Sequence, residues 1–222
     1  MRKYLTEFVG TAVLLFTIYC SVVSGSALAP LAIGAVLTAM VFAGGHVSGA
    51  HYNPAVTLAV FLRGRLAARH LLPYAAAQVI GALAGAALAR VVVGAPTGPA
   101  LHATGRDLVA VFLAEAVVTF ALAYVVLNVA TSKDHPNNSF YGLAIGFTVL
   151  AGAVAVGGVS GGTFNPAVAV AASAAGLISW SGLWAYLAAT LAGGALAAVA
   201  FRVLNPADVA APVPAAVPEE AA

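Results

Sequence analysis

Long apolar runs separated by short polar breaks make up most of the chain. Six of these runs are long enough to cross about 30 Å of hydrocarbon as α-helices. We place them at about 4–25, 29–45, 70–93, 107–131, 139–157 and 182–204. The pattern therefore predicts an all-α integral membrane protein with six transmembrane helices.

Two further apolar stretches, 54–63 and 166–177, are too short to cross a bilayer, and each begins at an Asn-Pro pair. Proline suits the first turn of a helix because its missing N–H would be unpaired there in any case. The segments before them, 47–50 and 159–162, are rich in glycine and serine and predict extended loops. Irregular backbone at membrane depth is tolerated where it is buried in protein or lines a wet cavity. We therefore predict two re-entrant loops, each followed by a half-helix, that line a pore.

The two halves of the chain repeat one motif. Asn-Pro-Ala occurs twice, with its asparagines 112 residues apart in a chain of 222. The motif residues are Asn53, Pro54, Ala55, Asn165, Pro166 and Ala167. Three predicted spans separate the two copies, so the loops enter from opposite faces and the halves form an inverted repeat.

The repeats belong to one predicted channel domain at 1–204. Repeat one covers about 4–93 and repeat two about 107–204. The segment at 205–222 is rich in alanine and proline and lacks the apolar content of a packed core, so we expect a disordered tail there.

Composition agrees with a membrane location and excludes several functions. The chain is 62% hydrophobic and 7% charged, whereas a soluble domain has about a quarter of its residues charged. A net charge of +2 is too small to favour nucleic acid as a partner. The single Cys20 excludes an internal disulfide, and neither a metal-ligand spacing nor a nucleophile–base pair is recognisable. We therefore expect no cofactor, no metal and no enzymatic activity.

Basic residues are divided unevenly between the two predicted faces of the membrane. Arg90 and Arg106 fall on one face. Seven fall on the other: Arg2, Lys3, Arg63, Arg65, Arg69, Lys133 and Arg202. The positive-inside rule places the more basic face in the cytoplasm, so we expect both termini there. The Ala-rich composition and short loops favour a bacterial inner membrane.

The two half-helices are expected to meet N-terminus to N-terminus at the membrane midplane. Each N-terminus presents unpaired N–H groups and about half a positive charge, and Asn53 and Asn165 add amide donors at the same point. Such a site hydrogen-bonds the oxygen of a neutral solute, repels cations and interrupts a proton-conducting chain of waters. One asparagine alone would favour a simple helix cap. Two symmetric copies favour a pore in which the asparagines both cap and line.

These motifs resemble the aquaporin (major intrinsic protein) family over residues 4–204. The resemblance rests on the two Asn-Pro-Ala boxes, the intramembrane glutamates Glu7 and Glu115, the Ser-Gly pair before each loop, and segment 77–82 of the third span. It implies a barrel of six helices and two half-helices, with one pore in each subunit of a homotetramer. It also implies that the two glutamates buttress loop backbone, although an intramembrane carboxylate is by default a functional candidate.

The resemblance also implies which groups line the pore. His46 matches a pore-lining histidine of the family; we favour passive lining, with pH gating as the alternative. His51 is implied to stabilise its loop while its carbonyl lines the pore. The ladder of carbonyl acceptors would come from Gly49, Ala50, His51, Gly161, Gly162, Thr163 and Phe164.

Counting outward from the two asparagines locates the four positions of the family's outer constriction. They are Ile33, Ala153, Gly162 and Val168. Val168 replaces the usual arginine and Ala153 replaces the histidine of water-specific members, which predicts a wider and more apolar constriction. Cation exclusion would then rest mainly on the half-helix dipoles and the two asparagines. The alternative is that valine is a neutral replacement in an ordinary water channel.

Several functions are compatible with these patterns. We favour a passive channel for water and small neutral solutes such as glycerol, urea, ammonia or hydrogen peroxide, because the second box, Asn-Pro-Ala-Val, resembles that of some tonoplast intrinsic proteins. Its partners would be those solutes, the lipid bilayer and other copies of the chain. One alternative is a water-selective aquaporin. Another is an ion-coupled secondary transporter, since inverted repeats with broken helices also build those. A structural role in membrane contacts finds no support in the short loops.

Overall fold

The computed structural model describes residues 1–209, which are almost entirely helical. In chain order the helices are α1 (Arg2–Val23), α2 (Ala29–Ser48), α3 (Pro54–Leu62), α4 (Leu71–Val93), α5 (Gly105–Val126), α6 (Tyr141–Ser160), α7 (Pro166–Ala174), α8 (Leu183–Leu204) and α9 (Pro206–Val209). Six of them are long and apolar enough to cross a membrane, and α3 and α7 are the two half-helices. The predicted all-α architecture is confirmed.

The approach to each half-helix is more helical than the sequence predicts. The expectation of extended loops at 47–50 and 159–162 is wrong in its first half, because α2 continues to Ser48 and α6 to Ser160. Each helix ends at a glycine in the left-handed region, Gly49 (φ 84°) or Gly161 (φ 80°). Glycine adopts this conformation without steric cost and is therefore a common helix end. Up to that glycine the membrane favours a helix, because the backbone groups of a helix are satisfied within the segment itself.

Small residues let the long helices of each repeat cross closely. α1 packs against α4 at Gly81, where a Cβ atom would collide with the carbonyl oxygen of Phe8. In the second repeat, α5 packs against α8 at Gly193, where a Cβ would collide with the carbonyl of Ala116. Membrane helices associate through such close van der Waals contact rather than through the hydrophobic effect. The two repeats thus use the same crossing.

The half-helices interlock the two repeats. α3 packs against α8, the last long helix of the second repeat, and α7 packs against α4, the last long helix of the first. This exchange brings the two N-termini together at the centre of the molecule. Asn53 and Asn165, which precede α3 and α7, therefore lie at the junction of the repeats.

The prediction of a disordered tail from residue 205 is wrong at its start. Pro206–Val209 form the short helix α9, and Asp208 is only 1% exposed. Its carboxylate pairs with Arg63 at the end of α3, and this partner offsets the cost of burying the charge. Residues 210–222, the rest of the predicted tail, lie outside the described residues.

Candidate pore

Asn53 and Asn165 cap the two half-helices. The Oδ1 atom of Asn53 accepts hydrogen bonds from the N–H groups of Ala55 and Val56 at 2.8 and 3.4 Å. The Oδ1 atom of Asn165 accepts one from the Ala167 N–H at 2.9 Å. Asparagine is among the best residues for this position because its side-chain oxygen satisfies N–H groups that the helix leaves unpaired.

The amide nitrogen of each asparagine reaches across to the other repeat. Asn53 Nδ2 donates to the carbonyl of Phe164 at 2.8 Å, and Asn165 Nδ2 donates to the carbonyl of Tyr52 at 2.8 Å. A side-chain amide carries two N–H donors, so one on each asparagine remains for a solute. Both side chains border the central cavity. Each asparagine therefore caps its half-helix and also borders the cavity.

Glu7 holds the first loop from behind. Its carboxylate is 0% exposed and accepts hydrogen bonds from the backbone N–H groups of His51 and Tyr52 at 3.0 and 2.6 Å. The Ser48 hydroxyl and the Gln78 amide donate to it at 2.6 and 2.8 Å. All four donors come from around the loop, and Glu7 does not border the central cavity. This geometry supports a buttress rather than a solute-binding group.

Glu115 does the same for the second loop with a different set of donors. It is 0% exposed and accepts from the backbone N–H groups of Thr163 and Phe164 at 3.0 and 2.6 Å. The hydroxyls of Ser160 and Thr163 donate at 2.7 and 2.6 Å. The Thr163 hydroxyl thus takes the place that the Gln78 amide has in the first repeat. Both repeats give their glutamate four donors.

These bonds stabilise unusual backbone in both loops. Tyr52 (φ 48°) and Phe164 (φ 49°) occupy the left-handed region immediately before each asparagine. A residue with a side chain is held there at a cost of roughly 1–3 kcal/mol. The two glutamates anchor the N–H groups of these same residues and so offset that cost. The loop residues that border the cavity are Ala50, His51, Tyr52, Gly162, Thr163 and Phe164.

The central cavity is narrow and mostly aliphatic. Besides the loops and the two asparagines, its border consists of Leu14, Ile18, Ile33, Leu37, Val56, Leu122, Val126, Ile145, Val149 and Val168. Its volume is about 30 Å³, and one water needs roughly 10–15 Å³ by this measure. By this measure it holds about two or three waters at a time, with the asparagine amides as donors in a mostly aliphatic lining.

Three residues expected to line the pore lie away from the central cavity. We call the side of the membrane that carries Lys3, Arg63 and Lys133 the basic face. His46 and Gly49 border openings on this face. Gly161 lies against the side chain of Leu101, in the loop between α4 and α5.

A model of the family described as "Major intrinsic protein" matches residues 1–201. The chain belongs to this family. It is 39% identical to "Glycerol uptake facilitator protein-like 6" of Lactiplantibacillus plantarum over 217 residues, which cover 94% of this chain and 100% of that protein. It is 36% identical to "Aquaporin NIP1-3" of Oryza sativa subsp. japonica over 219 residues, 92% of this chain and 74% of that protein.

Its fold is that of a solved relative. The aquaglyceroporin from Plasmodium falciparum, known by X-ray crystallography, superposes with a TM-score of 0.79 and covers 95% of this chain and 99% of that one. The sequence identity is 21%, so the likeness shows the fold alone. This major intrinsic protein and the solved relative therefore share one fold.

Three of the four positions predicted for the outer constriction of this major intrinsic protein border the central cavity. Ile33, Gly162 and Val168 border the central cavity, whereas Ala153 does not. Ala153 lies one turn of α6 beyond Val149, which does border it. The side chain of Ala153 is a single methyl group, and on α6 it is Val149 that borders the cavity.

Leu101 is a neighbour of the pore loops that no sequence pattern indicates. Its N–H donates to the Leu177 carbonyl at 2.9 Å, and its own carbonyl accepts from the Ser179 N–H at 3.0 Å. These bonds hold the loop between α4 and α5 against the end of α7. The Leu101 side chain consequently lies against Gly161. Only the three-dimensional pairing reveals this contact, because the loop is short and has no motif.

We expect mercuric chloride to leave water flux through this family member nearly unchanged. Cys20 is the single cysteine of the sequence, and it packs against the apolar core without bordering the cavity. Stopped-flow measurements with and without the reagent test this, with Val168→Cys as the positive control. Rapid inhibition that Cys20→Ser removes would contradict the expectation.

Proposed function

We propose that this protein is a passive channel that conducts water together with small neutral solutes, such as glycerol, urea, ammonia or hydrogen peroxide. The observation that carries the proposal is the lining of the central cavity. It combines the amide donors of the two asparagines and the loop backbone with aliphatic side chains. A small neutral solute with a few hydrogen-bonding groups suits this lining. An ion would lose hydration that the aliphatic side chains cannot replace.

The side chains at the outer constriction support the proposal that solutes larger than water pass. Ile33, Gly162 and Val168 bring neither charge nor a side-chain hydrogen-bond donor to the cavity. Cation exclusion then rests on the positive N-terminal ends of α3 and α7 and on the asparagine amides. A solute therefore meets no fixed guanidinium that would select for water alone.

A water-selective channel is the second candidate, and the size of the cavity favours it. The volume of about 30 Å³ leaves little room for a molecule the size of glycerol. Val168, although small, is 3% exposed and packs within the aliphatic core. Passage of larger solutes therefore requires the aliphatic side chains of the cavity to move.

The ion-coupled transporter is less well supported. Coupling in such proteins needs an intramembrane ionisable group that ions or solute can reach. Within the described residues, the glutamates of the long helices are Glu7 and Glu115. Each is fully buried and accepts four hydrogen bonds from its loop and from the helices around that loop. Neither carboxylate is free to bind a coupling ion.

We also propose that the channel forms a homotetramer in a bacterial inner membrane, with the basic face in the cytoplasm. The charge distribution of the loops supports the orientation, and family membership supports the assembly. Large apolar side chains such as Val109, Leu113 and Val117 are exposed along α5. They suit contact with lipid or with a neighbouring subunit.

Stopped-flow light scattering on proteoliposomes tests the proposed function. Water, glycerol, urea and ammonia gradients are compared with the same gradients across empty liposomes. We expect faster passage of water and of at least one other solute, with rates proportional to the gradient. Passage of water alone would favour the water-selective candidate. Saturable uptake that requires an ion gradient would favour the transporter.

A further inference from the structure

A buried ion pair ties the end of the described chain to a half-helix of the pore. Arg63 Nη2 lies 2.7 Å from Asp208 Oδ1, and the two side chains are 3% and 1% exposed. The Arg63 guanidinium also lies over the ring of Phe201, with its Cζ 4.6 Å from the ring centroid. Removing one partner of such a pair leaves an uncompensated buried charge. Arg63 follows α3 directly, so this contact reaches the half-helix that begins after Asn53.

The same two side chains hold the segment that follows α5. Arg63 Nε donates to Thr131 Oγ1 at 3.0 Å, and Arg63 Nη2 donates to the Thr131 carbonyl at 3.1 Å. Asp208 Oδ2 accepts from the Lys133 N–H at 3.1 Å, and Lys133 Nζ donates to the Ala207 carbonyl at 3.0 Å. We call Arg63, Thr131, Lys133 and Asp208 the clasp. It joins three segments that are distant in sequence.

The segment held by the clasp separates two openings on the basic face. Residues 130–132 border one cavity of about 450 Å³ and another of about 350 Å³. The first cavity shares His51 and Val126 with the central cavity, and the second shares Ile145. A π-helical turn at Leu127–Thr131 leads into the segment, and such turns are frequent at functional sites. The position of 130–132 therefore sets the width of both openings.

We propose that Asp208, acting through Arg63 and the Lys133 backbone, positions residues 130–132 and keeps both openings of the pore clear. Neither charged side chain borders the central cavity, so both are positioning residues. While the clasp holds residues 130–132, both openings exist. Without the clasp these residues can move, and they narrow whichever opening they move into. The inference rests on the proposed channel function but not on which solutes pass.

Asp208→Asn tests the clasp because it removes the charge and keeps the shape. We expect water permeability per protein in proteoliposomes to fall several-fold, with Asp208→Glu close to wild type. Asp134→Asn is the matched control. Asp134 is an exposed acid next to Lys133, and its side chain makes no ion pair within residues 1–209. Permeability of Asp208→Asn equal to or above that of wild type would overturn the proposal. For any second solute that the wild type conducts, the ratio of water flux to the flux of that solute should not change, which separates this test from that of the outer constriction.

The effect of the clasp should not depend on pH near neutrality. Burial raises the pKa of the Asp208 carboxyl, but hydrogen bonds from Arg63, Ser132 and the Lys133 N–H, with the charge of Arg63, outweigh burial and hold the pKa below its ordinary value of 3.8. Two further charged groups face this region: the Arg65 guanidinium lies 3.6 Å from the carboxylate, and the Lys133 ammonium binds the carbonyl of the adjacent Ala207. A depressed pKa means that the carboxylate contributes fully above its unfolded pKa and is lost only as pH falls through the folded one. The flux ratio of wild type to Asp208→Asn should therefore be constant between about pH 5 and 8. A ratio that reaches one within this range would assign control to another group.

Hydrogen exchange of the full chain in detergent provides a measurement that does not depend on conduction. In Asp208→Asn and Arg63→Gln we expect faster exchange across 129–138, with unchanged protection in α1 and α4. The double variant should exchange like either single variant, because both remove the same contact. Unchanged exchange in 129–138, or loss of protection throughout the long helices, would overturn the proposal. If wild type conducts nothing, the flux test fails together with the proposed function, whereas this measurement still judges the contact.

Discussion

Val168→Arg should lower the flux of glycerol and urea about tenfold or more while reducing water flux less. Tenfold corresponds to about 1.4 kcal/mol of added barrier. Val168 borders a cavity of only about 30 Å³ and lies three residues after Asn165. A guanidinium there has no acidic partner among the residues that border the cavity, so it must keep its hydration by projecting into the pore. It then occupies the space that larger solutes need and supplies donors that water can use.

Val168→Met is the control for this prediction. Methionine also extends the side chain beyond that of valine, though less far than arginine, and brings neither charge nor donors, so it separates narrowing from electrostatics. Stopped-flow fluxes of water, glycerol and urea are measured for wild type and both variants. If Val168→Arg leaves every flux unchanged, Val168 does not form the constriction. If both variants lower solute flux equally, narrowing alone explains the effect.

The helices could be predicted from the sequence because the bilayer makes them a local property. A segment in hydrocarbon must satisfy its own backbone groups, so the apolar pattern at 70–93 suffices to predict α4 at Leu71–Val93. The half-helices were equally accessible, since Asn-Pro defines a start that needs no distant partner. The predictions fail at Ser48 and Ser160 because serine and glycine are typical of loops, whereas the helices continue through both serines.

The arrangement of the pore could be predicted only in part. That Asn53 caps α3 follows from local chemistry, but its bond to the Phe164 carbonyl joins residues 111 positions apart. Likewise, the repeat indicates two glutamates, yet not that the Thr163 hydroxyl replaces the Gln78 amide as a donor. Such pairings depend on how α3 and α7 interlock, which composition and spacing do not encode.

The residues of the clasp could not be predicted from the composition of the segments that contain them. In the sequence, Arg63 is one of seven basic residues predicted for one face, and Asp208 lies in a stretch whose alanine and proline content predicts disorder. The two residues are 145 positions apart. One signal was present: Asp208 is the only acidic residue between Asp134 and Glu219. A single acidic residue close to the end of a membrane span predicts an ion pair with a basic residue.

Glu115→Gln should remove most conduction and lower the unfolding temperature in detergent. The glutamine side chain keeps the size of the glutamate but turns one acceptor oxygen into an NH₂ group. Hydroxyls of Ser160 and Thr163 can rotate to accept from it. The backbone N–H of either Thr163 or Phe164 cannot, and one of them is left unpaired. An unpaired buried donor costs about 1–3 kcal/mol.

That loss falls on backbone that is already strained. Phe164 keeps a φ of 49° while its N–H is anchored on Glu115, and its carbonyl accepts the Asn53 amide. Relaxation of this residue therefore displaces the asparagine of the opposite repeat and disturbs the cavity from both sides. Thermal unfolding followed by tryptophan fluorescence and water flux in proteoliposomes measure the two effects, with Glu219→Gln as the same chemical change outside the described residues. Glu7→Gln should behave alike, because it too leaves one of two backbone N–H groups unpaired. Normal flux in either glutamine variant would show that the bonds from its glutamate are not needed to hold that loop in its conducting form.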